Sequence, residues 1–187
     1  GSMDWLPNED GVTWFADAVL PLIRAEVPEA TLTVVGRNPS PRVRQLATRH
    51  DRLTVTGTVD DIRPFLARGA ALVVPLRIGG GTRLKIYEAM ASGLPILFAG
   101  GGEGARRVLD AQAGLAVPYE DIRGLEQAIR RLASTPELRQ KLGQAGRCAS
   151  EKLYNRKEIA SRLHHLLLGV IRRVQLTLRR DATISGA

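Results

Sequence analysis

Cysteine is almost absent: Cys148 is the only one in 187 residues, which excludes an internal disulfide and a cysteine-based metal centre and points to a reducing, cytoplasmic setting. Aromatic residues are also scarce, at 4% of the chain, and several fall in helical stretches, so the exposed stacking platform of a nucleic-acid binder is not expected. No segment approaches the roughly 20 apolar residues that span a bilayer, and no basic stretch followed by an apolar run stands at the N-terminus. The expectation is a cytoplasmic protein, at most peripheral at the inner face of a membrane. His50, His164 and His165 do not have metal-ligand spacing, and no Walker A ending is present. What the chain does have is 44% hydrophobic and 25% charged residues, a globular composition, with 27 Lys and Arg against 19 Asp and Glu. The net charge of +8 suits an anionic ligand, a membrane surface or nucleic acid, and does not choose among them.

Short apolar runs alternate with helical patterns along the chain. The stretch 11–26 reads as a helix, 30–35 (ATLTVV) as a strand, 41–50 as an Arg-rich helix and 53–59 (LTVTGTV) as a second strand. A helix over 61–68, a strand over 70–75 (AALVVP), a helix over 82–92 and a strand ILFA at 96–99 follow. A helix near 105–110, a strand over 114–118 and helices over 121–134 and 136–152 complete the series. This alternation predicts an α/β, Rossmann-like, doubly wound parallel sheet. Ligands of such sheets bind beyond the carboxyl ends of the strands, so the loops after Val35, Val59, Pro75 and Ala99 are the places to search.

One of those loops is rich in chemistry. Gly79, Gly80 and Gly81 permit close backbone approach to a ligand, and Thr82 is a good N-cap for the helix that follows. A helix N-terminus presents free N–H groups and the positive end of its dipole, and Arg83 and Lys85 add charge, so a phosphate or diphosphate fits. A plain turn before an ordinary helix is the competing reading of the glycines. Glu88, one turn further, has two oxygens that match two vicinal ribose hydroxyls, or it pairs with Lys85 or Arg83 at the surface.

Two other functions are open on the residues alone. Gly100 to Ala105 fits G-x-G-x-x-A between a strand and a helix, with Glu120 and Asp121 about 20 residues on, as in an NAD(P)-binding oxidoreductase. Against it, that fingerprint normally opens the first strand–helix unit, and here at least three strands precede it. The net charge leaves a basic, non-enzymatic nucleic-acid-binding module as the other alternative.

The order of these pieces resembles the C-terminal, donor-binding half of retaining GT-B glycosyltransferases, the group 1 family that includes glycogen synthases and phosphatidylinositol mannosyltransferases. The resemblance runs from about Gly1 to Leu167 and rests on VVGRNP, LTVTGTV, DDIRPFLARGAALVVP, YEAMASGLP, AGLAVPYED and TPELRQKLGQAGR in sequence. It implies transfer of a hexose from a nucleoside diphosphate sugar, such as a UDP- or GDP-sugar, to an acceptor hydroxyl in polysaccharide, glycolipid or glycoconjugate synthesis. No metal or other cofactor is implied. In the family the glutamate at the position of Glu88 holds the ribose, the glycine-loop amides meet the diphosphate, and the base lies near Gly57, Thr58 and Val59. A second family glutamate, eight residues earlier, is replaced here by Gly80, and the family's basic phosphate contacts fall at Ser2 or Met3 and at Asp10. Arg37, Arg83 and Lys85 are therefore the expected sources of positive charge.

The resemblance also implies an N-terminal acceptor-binding domain, which the family's enzymes place across the donor cleft and which supplies part of the catalytic set. An isolated donor half is not expected to transfer sugar. Residues 1–3 resemble the end of the half's first strand, which reads them as native sequence, and Gly-Ser-Met equally fits a tag-cleavage scar. The expected organisation is a nucleotide-sugar-binding domain over 1–155, an amphipathic helix over 156–180 and a flexible tail over 181–187. In that helix Ile159, Leu163, Leu166, Val170, Val174 and Leu178 recur at intervals of three and four, with Arg162, Arg172, Arg173, Arg179 and Arg180 among the rest. In the family the last helix crosses back to pack on the N-terminal domain, and here it can pack on its own domain over 159–167. Further partners expected through it are a second copy of the chain, which could also join at the sheet edge, and an anionic membrane surface. No specific nucleic acid is expected.

Overall fold

The computed structural model describes the backbone of residues 1–78 and 84–185, and the side chains of those residues up to 173. Five strands and nine α-helices occur among them: α1 Leu6–Trp14, α2 Leu20–Glu26, β1 Leu32–Val35, α3 Pro41–Arg49, β2 Leu53–Gly57, α4 Arg63–Arg68 and β3 Leu72–Pro75. These are followed by α5 Leu84–Ala91, β4 Ile96–Ala99, α6 Gly102–Asp110, β5 Gly114–Val117, α7 Ile122–Ser134, α8 Pro136–Leu153 and α9 Arg156–Ser185. The order is the alternation that the hydrophobic pattern predicts, with element ends displaced by a few residues.

The first helix differs most from its prediction. It begins at Leu6, not Gly11, because Pro7 sits in its first turn, where a missing N–H costs nothing and the fixed φ favours the helix. A π-helical turn, Phe15–Val19, then joins α1 to α2. Its physical reason is Pro21, which cannot donate to a carbonyl one turn back and whose ring would crowd the carbonyl of Asp17; a wider turn relieves both. Further on, Ser40 caps α3 by accepting from the N–H of Val43 at 3.2 Å, and Asp121 caps α7 by accepting from Gly124 at 2.8 Å.

All strand pairing is parallel. Leu32 faces Leu53 where β1 meets β2; β3 pairs with β4 through Leu72 and Ile96, and β4 with β5 through Ile96 and Gly114. The β1–β2 pair and the β3–β4–β5 sheet are separate ladders. Ser2 makes a parallel bridge to Arg37, so residues 1–3 run alongside the exit of β1. The α1–α2 region serves both ladders: Ala16 and Leu20 pack with Val34, Val43, Leu46 and Leu53, while Phe15, Val19 and Ile23 pack with Leu97, Ala99 and Leu125. Burying two faces of one helix in two cores is what couples the ladders.

The chain forms two compact units, Gly1–Ala149 and Ser150–Ala187. In the second, α9 carries Ile159, Leu163, Leu166, Leu167, Val170 and Ile171 exposed. No helix among the described residues is long and apolar enough to cross a membrane.

Candidate functional site

Polar contacts gather the exits of β1, β3 and β5 on one edge of the first unit. Arg37, just past β1, donates from Nε to the Oγ of Ser2 at 3.3 Å. The carbonyl of Ser2 accepts from the Nδ2 of Asn8 on α1 at 2.8 Å, and the Oδ1 of Asn8 accepts from the Nζ of Lys85 on α5 at 3.0 Å. A continuous polar chain thus joins Arg37 to Lys85 through Ser2 and Asn8. Glu88 stands three residues after Lys85 on α5, so the two share one face of that helix. Glu88 is exposed in the second turn of α5, whereas its neighbours Ala89 and Met90 are fully buried.

Arg77, just past β3, forms the other half of the edge. Its Nε and Nη2 donate to the two carboxylate oxygens of Asp10 on α1, at 2.9 and 2.5 Å, and its Nη1 donates to Glu120 beyond β5 at 2.9 Å. The guanidinium lies 5.6 Å from the centre of the Trp14 ring. Hydrogen bonding from Arg77 holds the Asp10 carboxyl below its usual pKa of 3.8, and Asp10 raises that of Arg77. Asp10, at a position where a basic residue is expected, therefore binds a cation instead of supplying one.

Beside β1 and β2 lies a cleft of about 360 Å³, lined by Asn38, Pro39, Arg44, Ala47 and residues 55–58. Gly57 ends β2 with φ +72°, a left-handed conformation that glycine adopts freely, and it leaves open space where a side chain would stand. Val59 follows it, half-buried. Of the residues singled out in the sequence, Arg37, Lys85 and Glu88 fall in one neighbourhood, and Gly57 lies in this cleft. Gly79, Gly80, Gly81, Thr82 and Arg83 lie outside the described residues. The sequence does not show Asn8, Arg77 or the role of Asp10, since the Asn8–Lys85 and Asp10–Arg77 contacts span 77 and 67 positions of the chain.

The other glycine motif has a structural use. The Tyr119 ring lies against the turn at Gly100 and Gly101, and a Cβ on Gly100 would stand only 2.9 Å from it. Glu103, in the first turn of α6, pairs with Arg107 at 2.9 Å. This turn also follows β4, in the middle of its sheet, and not the first strand of the fold. The dinucleotide reading therefore loses its main support.

The family model "Glycosyl transferases group 1" matches residues 1–135. A phosphatidyl-myo-inositol mannosyltransferase of Mycolicibacterium smegmatis is 32% identical over 126 residues, covering 65% of this chain and 32% of that protein. A GDP-mannose-dependent alpha-(1-6)-phosphatidylinositol monomannoside mannosyltransferase of the same organism is 25% identical, over 80% of this chain and 42% of that one. The chain thus spans less than half the length of these curated relatives. Among solved structures, sucrose-phosphate synthase from Thermosynechococcus elongatus superposes with a TM-score of 0.70 at 26% identity, covering 87% of this chain and 43% of that one. With parallel ladders flanked by helices and a family match over most of its length, the chain belongs to the group 1 glycosyltransferases and has the Rossmann-like fold of one half of a GT-B enzyme.

Proposed function

We propose that this chain is the donor-binding half of an enzyme that moves a hexose from a nucleoside diphosphate sugar to an acceptor hydroxyl, in polysaccharide, glycolipid or glycoconjugate synthesis. The observation that carries this is the polar chain from Arg37 through Ser2 and Asn8 to Lys85 at the carboxyl edge of the strands, where ligands of such sheets bind, with Glu88 one turn from Lys85 on α5. In this reading Glu88 accepts hydrogen bonds from the ribose. Lys85, aimed by Asn8, and Arg37 oppose the charge that grows on the leaving diphosphate, with the amides and side chains of residues 79–83 as further donors. The cleft at Asn38, Arg44 and Gly57 has the size and position for the base. With the phosphates met by cations and amides, no metal is assigned to the step. The GDP-mannose dependence named for one relative makes GDP the first nucleotide to try beside UDP.

An N-terminal acceptor domain, which the family resemblance implies, is the partner this half requires for transfer. The exposed apolar stripe of α9 favours a second copy of this chain as a further neighbour, with an anionic membrane as the competing surface.

Calorimetry of this chain against UDP, GDP and NAD tests the reading. Saturable binding of UDP or GDP is expected, weakened about ten- to a hundredfold by Glu88→Ala with thermal stability unchanged, which is the scale of one or two lost charge-assisted hydrogen bonds. Binding of NAD alone would move the function to redox chemistry.

A further inference from the structure

Arg77 is held from two sides in two different ways. Its inner side is fixed: both oxygens of Asp10 bind Nε and Nη2 in a bidentate fork, Trp14 stands under the guanidinium, and the side chains of Arg77 and Asp10 are only 29% and 18% exposed. Its outer nitrogen, Nη1, meets a single oxygen of Glu120, whose side chain is 62% exposed. Exposed ion pairs of that kind contribute little and separate easily. Glu120 itself has φ +58°, so a non-glycine residue adopts the left-handed region where its carboxylate meets the guanidinium. The outward edge of Arg77 thus carries a carboxylate in the place that any oxyanion would take.

Helix α1 connects this position to the rest of the edge. Asn8 holds Lys85 and, two residues on, Asp10 holds Arg77, so one helix places two cations. Arg77 also stands two residues beyond Pro75, the last residue of β3, at the carboxyl edge of its sheet.

We propose that Nη1 of Arg77 is a binding position for a phosphate oxygen of the donor, and that Glu120 occupies it until the ligand displaces it. This rests on the donor-site reading given above. No covalent step is involved: one hydrogen-bond acceptor replaces another, and Asp10 keeps the guanidinium in place during the exchange.

The test is calorimetry of the full chain with inorganic pyrophosphate, UDP and GDP as probes. Glu120→Ala removes the competing carboxylate from an exposed position and should tighten pyrophosphate and the nucleotides by about two- to fivefold, the scale of an exposed ion pair. Arg77→Ala in the Glu120→Ala background should cancel that gain, and Arg77→Lys, which keeps charge but not the fork, should cancel most of it. Equal affinities in the wild type and Glu120→Ala overturn the proposal, and so does failure of Glu120→Ala to bind pyrophosphate at all. If Glu88→Ala still weakens UDP or GDP in those cases, the donor-site reading survives without Arg77. If no variant binds a nucleotide and Glu120→Ala nonetheless tightens pyrophosphate, the anion position stands and the donor reading falls.

Discussion

At the scale of single residues, the site is a set of charges whose partners decide what each can do. Asp10 shows this through pH. Arg77 holds its folded pKa below the ordinary 3.8, so the stability it contributes is present above that value and is lost as pH falls through the lower folded value. Asp10→Asn removes the charge and leaves the guanidinium without its fork, a loss of roughly 1–2 kcal/mol, or about 3–6 °C in a domain of this size. Thermal unfolding followed by circular dichroism should show that gap at pH 7 and its closure below about pH 4. A gap of constant size across that range would mean that the charge of Asp10 is not what stabilises the fold. Lys85 and Glu88 could be read from the sequence because a glycine run, a capping threonine and a helix lie within ten residues of one another. Asn8 and Arg77 could not, because the contacts that join them to Lys85 and Asp10 span 77 and 67 positions.

The elements explain how those contacts come about. Helix α1 can bring Asn8 and Asp10 to the strand exits only by lying directly against β3, and Gly11 is where it does so: a Cβ there would stand 2.3 Å from the carbonyl oxygen of Pro75. Gly11→Ala should therefore push α1 outward at a cost of about 1–3 kcal/mol, and both cations should lose their alignment with it. Urea unfolding should show a lower midpoint with an unchanged slope, and pyrophosphate affinity should fall in the same variant. A drop in stability alone would mean that α1 supports the fold without placing the cations. Strand and helix order was legible from period and turn residues, since each strand is a short apolar run bounded by Gly, Pro or Asn. The start of α1 was not, because it lies five residues before Gly11, with Pro7 in its first turn, and the π-helical turn depends on Pro21, whose effect reaches back to residue 17.

At the scale of the whole molecule, the first unit has a packed core and an edge full of paired charges, while the second presents apolar side chains to solvent. Along α9, Ile159, Leu163, Leu166 and Val170 fall on one arc, and Arg162, His165, Arg172 and Arg173 on the remainder. Leaving Leu163 55% and Leu166 64% exposed forgoes burial of about 1.5–3 kcal/mol per side chain, so a neighbour that covers the stripe is strongly favoured over water. A second copy offers an identical stripe, with Arg162 and Arg173 bordering the seam that two such helices would form. Sedimentation velocity on the wild type should accordingly show association that rises with concentration. Leu163→Glu combined with Leu166→Glu should abolish it, because each copy would place two carboxylates in an apolar seam, while the affinity of the first unit for nucleotides stays the same. Wild type that sediments as a monomer at every concentration, yet pellets with anionic vesicles and loses that property in the double variant, would give the stripe to a membrane instead.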